Sequence, residues 1–140
     1  MGVNIAIDGT AGSGKGTIAK GVANALGFYH LDTGAIYRSI AYKCLESGTD
    51  INNQKEIEKV LENIDFKIKF EKDENGNQIQ HNILNGKDLG NKIRTEKISQ
   101  NVSIISQYRG IREFANKFRY DLAKKYDIID FDLGVKLTGA

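Results

Sequence analysis

The sequence Gly9-Thr10-Ala11-Gly12-Ser13-Gly14-Lys15-Gly16-Thr17 follows directly on a short apolar run, Val3 to Asp8. The run is typical of a buried strand. Behind the glycines, apolar residues recur at helical spacing as far as Leu26, and Gly27 stands where helices usually end. A second strand is predicted at Phe28 to Leu31. Strand, helix and strand in this order predict a βαβ unit with parallel strands, and therefore an α/β fold.

The spacing of the glycine-rich stretch is G-x-x-x-x-G-K, between a strand and a helix, which is typical of a loop that binds a nucleoside triphosphate. Glycines let backbone amides approach a polyphosphate, and the helix N-terminus adds partial positive charge. Lys15 would bring a mobile charge to the outer phosphates. Because Gly16 stands where a Ser or Thr usually follows the lysine, we expect Thr17 to contact phosphate. Mg²⁺ would be held mainly by phosphates and water, so no residue is assigned as a metal ligand. A glycine-rich turn needed only for packing is the weaker alternative.

The rest of the chain alternates between helical and strand periodicity. Helices are predicted behind the caps Asp32 and Thr33 as far as Gly48, behind Asn53, behind Thr95, and again from Ile111 to Leu122. Tyr108-Arg109-Gly110 separates the last two. Between them a period of two predicts a small antiparallel hairpin, with turns at two Asn-Gly pairs and with Ile79, His81 and Ile83 on one face of its second strand. A third core strand is predicted within residues 126–131.

Composition narrows the class of protein. The 140 residues contain 20 basic and 18 acidic side chains, a net charge of +2, so no strong field for nucleic acid is expected. No apolar run approaches the length of a membrane helix, which favours a cytoplasmic protein without a membrane partner. The single cysteine, Cys44, is expected to pack on its helix beside Ile36 and Ile40. A basic helix surface is expected from four side chains: Lys117, Arg119, Lys124 and Lys125.

A second motif, Leu31-Asp32-Thr33-Gly34-Ala35-Ile36-Tyr37-Arg38, begins where the second strand ends. Ligands of parallel α/β sheets lie at the carboxyl ends of the strands, so we expect Asp32 and Thr33 at the same edge as the phosphate loop. The guanidinium group of Arg38 could hold a second phosphate there. Taken alone, Arg38 would more often be a solvated helix residue.

Taken together, the two motifs resemble those of bacterial cytidylate (CMP) kinases. The resemblance continues through Leu84-Asn85-Gly86-Lys87-Asp88, Ile93-Arg94-Thr95-Glu96 and Asn101-Val102-Ser103 to Ile111-Arg112-Glu113. It implies a P-loop NTPase-type parallel sheet flanked by helices, with a small inserted antiparallel sheet that binds the nucleoside monophosphate. The implied core comprises residues 1–60 and 96–140, and the implied insertion residues 61–95.

The resemblance also implies a reaction and a set of site residues. ATP would donate a phosphoryl group to CMP or dCMP, and the enzyme would act as a monomer. Lys15 would be catalytic, and residues Gly9 to Thr17 would hold the ATP phosphates. Thr33 and Arg38 would meet the CMP phosphate, and the cytosine would be read by three further residues: Ser103, Arg112 and Asp132.

The sequence departs from the family after the third core strand. Phe131 replaces a Gly-Arg pair of the family, and residues 135–140 no longer follow the family pattern. The resemblance therefore implies a core that is incomplete at its C-terminus, with weak or absent activity in this chain alone. Two alternatives remain open: a nucleotide-binding fragment without catalysis, and a P-loop kinase for another nucleoside monophosphate such as UMP. A GTPase is disfavoured because no Asn-Lys-x-Asp stretch occurs.

Overall fold

A parallel sheet and a group of helices make up most of the structure. The structure is a computed structural model that describes residues 4–6, 28–126 and 128–130. Its strands are β1 (Asn4–Ala6), β2 (Tyr29–Leu31), β3 (Phe66–Lys72), β4 (Gln78–Leu84), β5 (Lys87–Asp88) and β6 (Ile128–Asp130). Its helices are α1 (Gly34–Ser47), α2 (Gln54–Leu61), the 3₁₀ helix Gly90–Ile93, α3 (Glu96–Ile105) and α4 (Arg109–Ala123).

Three strands form a parallel sheet in the order β1-β6-β2. β6 pairs in parallel with both neighbours, so that all three strands run in the same direction. The three predicted core strands are therefore confirmed, and the parallel direction predicted for β1 and β2 is confirmed with them. The helix predicted between β1 and β2 lies outside the described residues.

The described residues fall into two compact units. The strand unit comprises the described residues within Met1–Thr33, Phe70–Gln80 and Phe118–Ala140, and the helix unit comprises Gly34–Lys69 and His81–Lys117. The division of the chain predicted from the sequence, with residues 61–95 as an insertion, remains a prediction.

Aromatic rings and one buried cation characterise the strand unit. Tyr29 stacks on Phe70 with ring centroids 4.7 Å apart, and Tyr126 meets both rings edge-on. Arg119 is fully buried, although the sequence indicated that it belongs to a basic surface. That expectation is wrong for Arg119, because this position lies on the buried side of α4, in phase with Ile111 and with two further buried residues, Ala115 and Leu122.

Isoleucines dominate the core of the helix unit. α1 packs against α2, α3 and the 3₁₀ helix. The fully buried side chains of this unit include Ile36, Ile40, Ile57, Ile93, Ile105 and Ile111. Cys44 is buried beside the α1 isoleucines, as expected, and burial raises the pKa of its thiol to about 11.

The helix starts predicted at Asn53 and Thr95 are confirmed. The Asn53 side chain accepts a hydrogen bond from the backbone N–H of Glu56, and the Thr95 hydroxyl accepts one from Ile98. The break between α3 and α4 lies at residues 106–108, slightly earlier than predicted, because Arg109 already belongs to α4. None of the helices in the described part of the chain is long and apolar enough to cross a membrane.

The predicted hairpin is confirmed as a sheet in the order β3-β4-β5, in which β4 and β5 are antiparallel. Asn85 and Gly86 both adopt positive φ, 48° and 82°, as a two-residue type I′ turn between β4 and β5 requires. The alternation along β4 is also confirmed, but the polar face is the buried one. Asn82 is 6 % exposed, whereas Ile79 is 37 % exposed.

Candidate functional site

The carboxyl edge of the parallel sheet is where the first predicted site residues lie. Ala6 and Leu31 are both in register with Asp130, so the three strands reach the same level there. Asp32 and Thr33 follow β2 directly and lead into α1. Because ligands of parallel α/β sheets lie beyond the carboxyl ends of the strands, this polar turn stands at the edge where binding is expected.

Burial and hydrogen bonds hold the Asp32-Thr33 turn in place. Thr33 is only 3 % exposed. The Gln80 side-chain amide accepts a hydrogen bond from the backbone N–H of Asp32 at 2.9 Å and donates one to the Asp32 carbonyl at 3.3 Å. Nothing in the sequence singles out Gln80, because its position in an alternating strand indicates only a polar side chain.

Arg38 lies one turn into α1, on the face that also carries Gly34. Its neighbours Ile36, Ser39 and Ile40 are fully buried, whereas Arg38 is half-buried at the margin of that packed stripe. Side chains of α-helices lean toward the helix N-terminus, so a guanidinium group at this position is directed toward the end where partial positive charge already favours anions. That Arg38 binds a phosphate remains a prediction.

Ser103 and Arg112 lie in the helix unit, on α3 and α4 respectively, and both are exposed. The Ser103 hydroxyl lies 3.4 Å from the Ser99 carbonyl, longer than an ordinary O–H···O hydrogen bond, so it can still bind a ligand. Tyr108 holds the start of α4, because its hydroxyl donates a 2.7 Å hydrogen bond to the carbonyl of Ile51. Ser103 and Arg112, which are predicted to contact the base, are thus both exposed to solvent.

Several predicted site residues lie outside the described residues. These are the phosphate-loop residues Gly9, Thr10, Ala11, Gly12, Ser13, Gly14, Lys15, Gly16 and Thr17, together with Asp132. Of the predicted set, the structure places Thr33 in the strand unit and the other three described residues in the helix unit.

A groove and a close contact at Gly110 involve none of the predicted site residues. A shallow groove of about 460 Å³ runs along α2 and the start of α4, lined by charged side chains of α2 and by Gly110. The Glu58 side chain fills the space above Gly110, where an added Cβ would lie 2.6 Å from its carboxyl carbon. Within residues 4–6, 28–126 and 128–130, no group of three or more His, Cys, Asp or Glu side chains could hold a metal ion.

A parallel sheet in one unit and packed helices in the other define a mixed α/β protein. The cytidylate kinase family model matches residues 5–133. Curated relatives called cytidylate kinase occur in Bacillus thuringiensis (strain Al Hakam), Bacillus cereus (strain AH187) and Bacillus anthracis (strain CDC 684). Each is 39 % identical over 127 residues, which cover 91 % of this chain and 54 % of the relative.

The chain therefore belongs to the cytidylate kinase family. It spans about half the length of the curated relatives that it matches.

Proposed function

We propose that this chain binds ATP and CMP as part of a nucleoside monophosphate kinase that acts on CMP or dCMP. The observation that carries the proposal is the register of Ala6, Asp130 and Leu31. It brings the end of β1, which the glycine-rich motif follows in sequence, and the Asp32-Thr33 turn to the same edge of the sheet. Two phosphate-binding motifs at one edge suit an enzyme that brings two nucleotides together.

The proposed reaction moves one phosphoryl group. An oxygen of the CMP phosphate forms a bond to the γ-phosphorus of ATP, and the bond from that phosphorus to the β–γ bridging oxygen breaks, leaving ADP and CDP. The acceptor is already an ionised phosphate, so no general base is required. Such transfers depend on positioning and on cations around the transferring group, the proposed roles of Lys15 and Arg38.

The proposed core is of the P-loop type, with residues 9–17 cradling the ATP phosphates through backbone amides. Mg²⁺ prefers oxygen ligands and keeps several waters, so ATP phosphate oxygens and water would hold it, with no carboxylate of this chain assigned to it. When bound, Mg²⁺ neutralises part of the phosphate charge.

Cytosine selection is assigned to Ser103 and Arg112, with Asp132 accepting from the exocyclic amine. The base offers a ring nitrogen and a carbonyl as acceptors beside an amine donor, which a hydroxyl, a guanidinium group and a carboxylate complement. The exposure of Ser103 and Arg112 supports this role, because neither side chain is required for the packing of the helix unit. Arg112 forms no ion pair with any residue that the structure describes.

Calorimetric titration of the chain with CMP, in the presence of a non-hydrolysable ATP analogue, tests the proposal. We expect Arg112→Ala to weaken CMP binding about tenfold or more, because charge-assisted hydrogen bonds are lost. Arg109→Ala is the matched control: Arg109 is exposed on the same helix, where it pairs with Glu113 at 2.7 Å. Ser103→Ala is compared in the same way with Ser99→Ala.

The titration also separates the proposal from its alternatives. A chain that binds the ATP analogue but no CMP would be a nucleotide-binding module, and tighter binding of AMP or UMP than of CMP would assign another acceptor. A coupled assay for ADP formation measures turnover. We propose slow turnover in this chain, because Phe131 stands where the family pattern has a Gly-Arg pair and one arginine can contribute about a thousandfold to phosphoryl transfer.

A further inference from the structure

Two glutamine side chains of β4 pair with the backbone of β2. Gln78 accepts from the backbone N–H of His30 and donates to the His30 carbonyl. Gln80 makes the same two hydrogen bonds to Asp32, at 2.9 and 3.3 Å. Each primary amide therefore occupies the place that a peptide group of a neighbouring strand would take. The two side chains cover the side of β2 that faces away from β6 in the described sheet.

The spacing explains why two glutamines can do this. Residues two apart on a strand share a face, so Gln78 and Gln80 project on the same side of β4. The backbone N–H and C=O of a strand residue point to one side of the strand, and alternate residues point to opposite sides. His30 and Asp32 therefore present their backbone groups to the hairpin. All three residues of β2 are in register with β6, and the alternation leaves the backbone groups of Tyr29 and Leu31 to point toward it.

Only one of the two glutamines reaches the turn. The Asp32 carbonyl belongs to the same planar peptide group as the N–H of Thr33, so a hydrogen bond that fixes one fixes the direction of the other. Gln80 also holds the preceding peptide group through the N–H of Asp32. Both peptide groups that flank Asp32 are thereby oriented by one side chain. Gln78 acts two residues earlier, within the strand.

We propose that Gln80 is a positioning residue that orients the Asp32-Thr33 backbone for the phosphate of the acceptor nucleotide. The identity of the ligand rests on the proposed function. The hydrogen bonds between Gln80 and Asp32 do not depend on it. Gln80 touches no substrate in this assignment and acts through Asp32 and Thr33. Gln78 secures the strand and has no part in the positioning of the ligand.

Gln80→Met and Gln78→Met form a matched pair for the test, since methionine is similar in length and lacks the amide. In each variant, amide hydrogen exchange should accelerate about tenfold or more at the residue that loses its partner, Asp32 or His30 respectively. In calorimetric titrations of the chain, only Gln80→Met should weaken CMP binding, by about tenfold, because a mobile turn must be ordered on binding. Affinity for the ATP analogue should stay within about twofold of wild type in both variants.

Three results would overturn the positioning role. One is an unchanged exchange rate of the Asp32 amide in Gln80→Met, and another is an equal loss of CMP affinity in both variants. The third is full CMP affinity in Gln80→Met despite rapid exchange at Asp32. A wild-type chain that binds no CMP would refute the proposed function instead, and the exchange rates of Asp32 and Thr33 would still decide whether Gln80 orients this turn.

Discussion

Among the described residues, the strand unit buries a charged side chain, Arg119, whereas the buried polar side chains of the helix unit are uncharged. In the strand unit, Gln80 pairs with backbone groups and Arg119 is fully buried. In the helix unit, the core is built from isoleucines, and Ser103 and Arg112 are exposed. Buried polar groups depend on their partners, because leaving one unsatisfied costs far more than an exposed hydrogen bond contributes.

The two units carry different residues of the proposed acceptor site: the turn proposed to hold the phosphate, and the side chains proposed to read the base. The turn that would hold the phosphate is fixed by the same hydrogen bonds that hold the strand unit together, so a change there alters folding and binding together. The residues that would read the base are surface groups of the helix unit, which can change with little effect on stability. On the proposed function, phosphate binding would be coupled to the fold, whereas base selectivity could vary independently.

The largest expected effect is that of Arg119→Ala in the strand unit. Arg119 is the largest fully buried side chain among those that the structure describes, so its removal leaves a cavity and deprives its buried surroundings of a cation. We expect a loss of about 3 kcal/mol or more in the free energy of unfolding, measured by urea denaturation. Lys117→Ala, an exposed position on the same helix, should stay within about 0.5 kcal/mol of wild type. A loss below about 1 kcal/mol for Arg119→Ala would show that the contrast between the units does not hold.

A comparable loss in the free energy of unfolding, caused by the removal of apolar packing, is expected in the helix unit for Ile105→Ala. Ile105 is fully buried in the last turn of α3, so the substitution should cost about 2 to 3 kcal/mol, and Ile105→Val only about 1 kcal/mol. Ser103→Ala, two residues earlier and exposed, is the control and should be nearly neutral in the same urea experiment. Equal losses at the two positions would contradict the assignment of Ser103 to the surface.

Local signals in the sequence predict most elements of the fold. Asn53 and Thr95 mark helix starts because capping is decided within three residues, and Asn85-Gly86 marks a turn because both positions need positive φ. The alternation of polar and apolar residues along β4 predicts a strand, because neighbouring side chains of a strand point to opposite faces. Each of these signals is contained in a few neighbouring residues.

What the sequence did not predict depends on partners far along the chain. Gln78 and Gln80 on the polar face of β4 hydrogen-bond to His30 and Asp32, 48 residues away, and no local pattern contains that pairing. Arg119 was expected on a basic surface because it carries a charge. Its position in phase with the buried face of α4 is the better guide to its burial. The roles of Ser103 and Arg112 came from the family resemblance, since periodicity alone indicates only that they are exposed.

The smallest expected effect belongs to an exposed polar pair of the helix unit. His81 Nδ1 lies 2.6 Å from a carboxylate oxygen of Asp88, and the two side chains are 29 % and 47 % exposed. Partial burial works to raise the pKa of Asp88, but the Gly90 backbone N–H and the His81 ring outweigh it, and the pKa lies below its ordinary value of 3.8. The Asp88 carboxylate therefore contributes stability above pH 3.8, and this contribution is lost as the pH falls through the lowered pKa.

A double-mutant cycle with His81→Gln and Asp88→Asn measures that pair. At pH about 6 we expect a coupling free energy of at most about 1 kcal/mol, because solvent screens an exposed pair. The coupling should shrink toward zero as the pH falls below 3.8, where the carboxylate becomes protonated. A coupling of about 3 kcal/mol would mean that this surface pair contributes as much as a buried one, and the distinction between the two units would then rest on the Gln80 and Arg119 substitutions alone.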